Sequence, residues 1–334
     1  SNESGFFYLP LIMKNLFIAL IALTVSTTSG YSQKDAVRVE IEQPFMYEGD
    51  TLSGTLLSSG KSLTNFNKLP LVIFISGSGP TDRNGNSILV EGPNNSFLQL
   101  ADSLLKRGVA SYRYDKLGIA QSQMSKTENE LRFEDNYKVT LAAIDKMKDL
   151  GFKHIVIMGH SEGSLVGMLA AQNAKVEGYI SVAGPAQNAL ETIKGQLYQS
   201  LPEEMALETY QKLDSIKQGY SITKFNPGLA ALLRPSVQPY LKSYFAYTPT
   251  EEIKKLKVPI LIIQGGRDLQ VPQAEGDALY FAVPEATYKV YPKMNHVLKQ
   301  VDDTQEQNIA SYGDADFPLD KNMVKDIANW IKNL

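Results

Sequence analysis

The sequence predicts an α/β protein with a mainly parallel central sheet, flanked by helices and interrupted late by a helical insertion. Three observations carry this. Short apolar runs alternate with segments whose apolar residues recur at helical spacing, as in a parallel sheet covered on both faces. The alternation breaks between about Pro185 and Lys257 and then resumes. One strand-to-helix junction, Gly159-His160-Ser161-Glu162-Gly163, is compressed into a tight turn with a glycine on each flank.

The elements follow in chain order. Val37 to Ile41 alternates apolar and polar, a half-exposed strand, with Leu52 to Leu57 as its expected hairpin partner and Gly49-Asp50 near the turn. Leu71 to Ile75 is apolar throughout, a strand buried on both faces. Asn95-Ser96 is the expected cap of a helix over Phe97 to Arg107, closed by Gly108. Val109 to Tyr114 is the next strand. Phe133 to Leu150 has helical spacing through Leu141, Ile144 and Met147, with Gly151 as its stop. His154 to Met158 is a buried strand that leads into the serine turn, with a helix from about Ser164. Val176 to Ala183 is a strand. The break is helix-like from Leu190 to Ile216, then rich in proline and tyrosine, including Tyr240, Tyr244 and Tyr247. Ile260 to Gln264 and Thr287 to Tyr291 are strands; Gln273 to Phe281 and Asn322 to Lys332 are helices. Because the chain returns to the same alternation, the break reads as an inserted lid, not an independent domain. The expected division is 33–184 with 258–334 as the core and 185–257 as the lid.

A chain of 334 residues can bury a large core. Its formal net charge of −3 offers no electrostatic footprint for nucleic acid. There is no cysteine, which excludes disulfides, thiolate catalysis and Cys-ligated metals. With three histidines, His154, His160 and His296, a multi-histidine metal site is not expected. Neither is any cofactor.

Residues 1–32 read as a leader. Met13-Lys14-Asn15 resembles a start with a short basic region, and Leu16 to Val25 is an apolar run of ten, too short to span a bilayer. Small and polar residues follow, with cleavage expected after Gly30 or Ser32. No cysteine stands there to carry a lipid anchor. The expectation is export to the periplasm or the exterior, without a stable membrane anchor.

The serine turn carries the chemistry. Chance gives roughly 0.1 G-x-S-x-G matches in a chain this long, so the pattern gains its weight from the strand before it and the helix after it. In that setting it is a nucleophile elbow, whose serine stands clear of the backbone. Serine needs a base, usually a histidine oriented by a carboxylate. In proteins with this elbow the acid and then the histidine follow the serine in the chain. Only His296 follows Ser161, in a loop just past the last strand. Asp268, in Gly265-Gly266-Arg267-Asp268, follows the preceding strand and is the expected acid; Asp277, on the next helix, is a weaker rival. An oxyanion hole needs two backbone N–H groups. One is expected from Glu162, the other from Ser76-Gly77-Ser78-Gly79-Pro80, with Ser78 favoured and Gly77 and Gly79 as neighbours. That loop lacks the G-K-[ST] ending of a phosphate loop. Glu162 is expected to be exposed, as a lid contact or solvated. Asp82-Arg83 and Asp115-Lys116 read as salt-bridge and loop-fixing groups.

With these residues in place, the chain resembles the α/β-hydrolase superfamily over roughly residues 37 to 334. More closely, it resembles bacterial exported serine esterases with G-S-G-P-x-D-R after the oxyanion strand, here Gly77 to Arg83. A second block resembles R-Y-D-K-R-G-x-G-x-S, here Arg113 to Ser122, departing at Leu117 and Ala120. Asp268-Leu269-Gln270-Val271-Pro272 and Asn295-His296 resemble the family's acid and histidine loops. The resemblance implies an α/β-hydrolase fold and cofactor-free hydrolysis of short-chain acyl esters, acetyl esters in particular, with a small-molecule ester as the partner.

Two other readings compete. The same triad serves an aminopeptidase or amidase, in which Glu203-Glu204 would hold a free amine; their ordinary role is a solvated helix face. A non-catalytic binding protein on the same fold is the alternative from another class.

Overall fold

The computed structural model describes residues 36–62, 65–302 and 304–334. The leader expected at 1–32 lies outside the described residues. Eight strands form one sheet: β1 (Val37–Glu42), β4 (Gly54–Gly60), β6 (Ala110–Tyr114), β5 (Leu71–Ile75), β7 (Ile155–His160), β8 (Gly178–Val182), β9 (Ile260–Gly265) and β10 (Thr287–Tyr291), in that spatial order. The β1–β4 and β4–β6 pairings are antiparallel, and all the others are parallel. The expected mainly parallel sheet is therefore present, with a mixed edge.

The sheet is buried because alternate residues of its central strands feed two apolar layers. Leu71, Ile73, Ile75, Ile157 and Tyr179 pack on one face beneath α2 (Phe133–Asp149), α3 (Glu162–Asn173) and α9 (Gln273–Ala282). Val72, Phe74, Val156, Met158 and Ile180 pack on the other, beneath α1 (Ser96–Leu105) and α11 (Lys321–Lys332). This is why β5 and β7 read as unbroken apolar runs.

The N-terminal hairpin differs from expectation. β1 pairs with β4, in register Val37 with Gly60, not with a strand that begins at Leu52. Between them β2 (Phe45–Tyr47) and β3 (Asp50–Leu52) form their own small hairpin. Its two turn residues, Glu48 and Gly49, have φ of 48° and 95°. Two positive φ values at the centre of a two-residue loop match the strand twist, and the turn closes there. The cap of α1 also differs: the Asn95 side chain accepts from Asn86 Nδ2 at 2.9 Å, and Asn94 Oδ1 takes the Ser96 N–H. Gly108 and Gly151, with φ of 80° and 87°, follow α1 and α2 as expected.

Between β8 and β9, which are neighbours in the sheet, the chain leaves it and builds α4 (Ala189–Ser200), α5 (Glu203–Gln218), α6 (Ala230–Leu233), α7 (Gln238–Tyr244) and α8 (Pro249–Ile253). These helices hold a small core of their own, including Leu190, Leu213, Ile216, Leu241 and Phe245. Tyr240, Tyr244 and Tyr247 surround Phe133 of α2, with the Tyr244 and Phe133 rings stacked at 4.3 Å. Packing on Phe133 thus engages these three tyrosines of the insertion. A further helix, α10 (Gln305–Ala310), follows β10 where the sequence pattern showed none.

Candidate active site

The serine turn is a strained elbow. β7 ends at His160, α3 begins at Glu162, and Ser161 between them has φ 55° and ψ −127°. A non-glycine residue there costs of order 1–3 kcal/mol and persists only where its surroundings enforce it. The flanking glycines do so by letting chains approach. A Cβ at Gly159 would lie 2.1 Å from the Gly163 carbonyl oxygen, and one at Gly163 would lie 2.5 Å from that of Ile75. The serine is presented by backbone contacts that no larger residue permits.

His296 comes to this turn from the loop after β10. Its Nδ1–H donates to Asp268 Oδ2 at 2.8 Å, and both side chains are almost fully buried. The other Asp268 oxygen accepts from the backbone of Gln270 and Val271, both at 2.8 Å, so the carboxylate is fixed before it meets the ring. Asn295 anchors the histidine loop. It donates to Asn308 Oδ1 and Ser311 Oγ and accepts the Lys299 N–H. Asp277 is engaged elsewhere, by the Tyr288 hydroxyl at 2.7 Å.

The glycine-rich loop of residues 76–80 lies against the serine. A Cβ at Gly77 would stand 2.9 Å from Ser161 Cβ and 3.4 Å from its Oγ. Gly79 takes φ 70°, a left-handed position suited to glycine. Neither the Ser78 N–H nor that of Glu162 meets an acceptor among the described residues, and the first N–H groups of a helix lack intrahelical partners. Gly77, Ser78, Leu89, Phe97, His160, Ser161, His296 and Tyr312 line one cavity of about 210 Å³. Leu89 is 77% exposed and forms part of its rim.

Glu162 corrects the expectation of exposure: the residue is buried, at 9%. The reason is α7, whose Tyr240 hydroxyl donates to Glu162 Oε1 at 3.3 Å, so the insertion contact holds and the solvated alternative does not. Burial pushes this carboxyl above the ordinary carboxylate range, opposed by the Lys116 ammonium and the Tyr240 hydroxyl. Asp82, Arg83, Asp115 and Lys116 are the loop-fixing groups they were expected to be. Asp82 Oδ1 accepts the N–H groups of Asn84 and Asn86. Arg83 donates twice to buried Asp115, at 2.8 and 3.1 Å, and once to Glu42. Lys116 donates to the carbonyl oxygens of Gly77 and Gly79. Ala120, one of the departures from the family block, has φ 48°, where glycine is the unstrained residue.

Sequence reasoning assigned no role to His160. Its Nε2–H donates to the His296 carbonyl at 2.7 Å, and the two rings lie 4.7 Å apart. Burial, reinforced by His296, holds its pKa down at about 3, so it is neutral and binds the histidine loop without competing as a base. Its place inside the elbow was the available signal. Glu203 and Glu204 are exposed in the first turn of α5 and do not line the Ser161 cavity. Among the described residues no group of three or more His, Asp or Glu is placed to hold a metal ion. None of their helices is long and apolar enough to cross a membrane.

The chain is similar to known proteins. The chain is 26% identical over 271 residues to the esterase EstD of Thermotoga maritima, covering 78% of this chain and 62% of that protein. It thus spans about three fifths of the length of this curated relative. Among solved structures, Est1E from Butyrivibrio proteoclasticus is similar with a TM-score of 0.55 at 17% identity, over 88% of this chain and 99% of that one. The Pyrococcus furiosus esterase Pf2001 gives a TM-score of 0.55 at 16% identity, over 92% and 96%. These likenesses are of fold. Residues 72–306, well over half of the chain, match the sequence profile described as the alpha/beta hydrolase family. Profile, sheet order and elbow agree, and the chain belongs to the alpha/beta hydrolase family.

Proposed function

We propose that the chain is a serine carboxylic ester hydrolase that acts on short-chain, acetyl-type esters through Ser161, His296 and Asp268. One observation carries the reading. Ser161, at positive φ on the head of α3, shares a cavity with a histidine whose Nδ1 is committed to a fixed carboxylate. That commitment leaves Nε2 as the basic nitrogen.

In this mechanism Ser161 Oγ attacks the ester carbonyl carbon while His296 Nε2 takes its proton. The carbonyl oxygen becomes an oxyanion and accepts from the Ser78 and Glu162 N–H groups. Each such donor contributes about 3–4 kcal/mol to the transition state. The tetrahedral intermediate collapses and the C–O bond to the alcohol breaks. His296 returns the proton to the leaving oxygen. Water, deprotonated by the same nitrogen, then hydrolyses the acyl-serine. The cavity of about 210 Å³ is smaller than the roughly 300–1,000 Å³ typical of sites for drug-sized ligands, which supports a small acyl group.

The domain reading follows: residues 33–184 and 258–334 form the catalytic core, and 185–257 form a lid that excludes water. The blocks at 77–83 and 113–122 support a place among bacterial exported serine esterases with a G-S-G-P-x-D-R loop. Residues 1–32 are then a leader directing export to the periplasm or exterior, which N-terminal sequencing of the mature protein tests at Gly30 and Ser32.

The functional test is hydrolysis of p-nitrophenyl acetate, butyrate and octanoate by wild type and Ser161→Ala, with fluorophosphonate labelling. Serine-dependent turnover that falls with acyl length is the expected result. Full activity in Ser161→Ala overturns the assignment. Turnover of an aminoacyl anilide with no ester hydrolysis moves the protein to the peptidases.

A further inference from the structure

We infer that Lys116 is a positioning residue that aims the Ser78 N–H into the oxyanion hole by holding the carbonyl side of the loop. The inference rests on the hydrolase reading above and adds a residue to it.

The loop is gripped from one side. Lys116 Nζ donates to the Gly77 carbonyl oxygen and, at 2.7 Å, to that of Gly79. The carbonyl between them, on Ser78, accepts from Thr81 Oγ1 at 3.1 Å, and the Gly79 carbonyl also accepts the Thr81 N–H at 2.9 Å. All three carbonyls of residues 77–79 are therefore occupied. In a trans peptide the C=O and N–H point in opposite directions. A cation fixed on the Gly77 oxygen consequently turns the Ser78 N–H the other way, and Gly77 itself is packed against Ser161. The same cation polarises the peptide, and a polarised peptide is a stronger donor.

Lys116 is itself held. It follows buried Asp115, which is doubly bonded by Arg83, and its own carbonyl accepts the Ile119 N–H at 3.0 Å. It is not among the residues that line the cavity of Ser161 and His296, so its route to the reaction is through the loop. Burial lowers the pKa of its ammonium, opposed by Glu162, the residue that offers the other oxyanion N–H.

The test compares Lys116→Met, Lys116→Gln and Lys116→Arg with wild type. Active sites are first titrated with a diethyl p-nitrophenyl phosphate ester, so that rates are expressed per competent Ser161. Removing one oxyanion donor outright costs about 10²–10³ in kcat; losing its aim is expected to cost roughly 10- to 100-fold. In Lys116→Met, per-site kcat on p-nitrophenyl acetate should fall by that factor with KM within threefold. The inhibition constant of an alkylboronic acid, which presents an oxyanion-like oxygen, should rise in parallel. Lys116→Arg, which keeps a cation with two donors, should recover most of the loss, and Lys116→Gln less. If Lys116→Met does not fold, the Arg and Gln variants decide by the same per-site rates. Per-site kcat within threefold of wild type in Met or Gln, or an unchanged boronate constant, overturns the inference. Loss of titratable sites at unchanged per-site rate also overturns it, since that marks a merely structural lysine. If wild-type Ser161 is not phosphorylated at all, the hydrolase reading fails instead.

Discussion

Gly77→Ala isolates what close approach of the glycine-rich loop to Ser161 contributes. Gly77 lies outside the left-handed region, so alanine suits its backbone, and the effect is steric alone. The new Cβ would meet Ser161 Cβ at 2.9 Å, the His160 carbonyl oxygen at 3.3 Å and Ser161 Oγ at 3.4 Å. Carbon pairs settle at about 3.5–4.0 Å, so loop and serine must separate by roughly 0.5–1 Å. Overpacking of this kind costs about 1–3 kcal/mol. Thermal midpoints move roughly 2–4 °C per kcal/mol in domains of 150–250 residues, which makes a drop of a few degrees the expected stability effect. The catalytic effect should be larger, because a misplacement of about 1 Å costs on the order of 10² in rate. The assay is kcat and KM on p-nitrophenyl acetate beside a thermal melt. Gly108→Ala is the control: it sits at φ 80° with nothing within 4 Å of the new Cβ, away from the serine. Forcing alanine into the left-handed region costs about 1–2 kcal/mol, with kcat unchanged. Gly77→Ala with kcat within threefold of wild type and a lowered midpoint would refute the claim that this loop is held in register with Ser161.

Asp268→Asn should lower kcat by about 10⁴, the loss seen when a triad aspartate is replaced, while near-ultraviolet circular dichroism stays native; a loss below tenfold removes Asp268 from the triad. Tyr240→Phe deletes the hydroxyl that donates to Glu162 and accepts from Asn136 at 3.0 Å; urea unfolding should show a loss of about 1 kcal/mol. Leu89→Ser at the cavity rim should raise KM for butyrate several-fold and leave acetate alone, because each buried methylene contributes about 0.8 kcal/mol; equal effects on both esters contradict a rim contact with the acyl chain. His160 sets a pH dependence. Its pKa of about 3 in the fold lies below its ordinary value of 6.5, so between these limits the unfolded chain binds a proton that the native state refuses. Stability therefore falls as pH drops from 6.5 towards 3, and His160→Gln should flatten that part of the melting curve.

The legible parts of this molecule are those in which one short segment decides its own conformation. Leu71 to Ile75 is apolar throughout because both faces of β5 are covered, and that burial is written in five consecutive residues. The elbow was legible for the same reason: strand, glycine-flanked serine and helix are contiguous, and the order of Ser161, Asp268 and His296 follows the order of the sheet edge. Where reading fell short, the deciding contact spans the chain. The hairpin at 45–52 was obscured because the true partner of β1 begins at Gly54, past a turn that serves a separate ribbon. The burial of Glu162 depends on Tyr240, 78 residues later, and the role of His160 depends on a carbonyl 136 residues away.

The same distinction explains the shape of the site. A side chain that reacts has to be one of a few chemical types, and type is visible in a sequence. Backbone N–H groups belong to every residue except proline, so the groups that hold an oxyanion leave no mark of their own. What marks them is whatever occupies the opposite side of the peptide. At Glu162 that is the helix start, which leaves its first N–H groups unpaired. At Ser78, on the reading proposed above, it is Lys116, which donates to the Gly77 carbonyl of the same peptide. On the proposed reading, the donor in this loop is marked by the cation on its carbonyl face and not by the loop residues themselves.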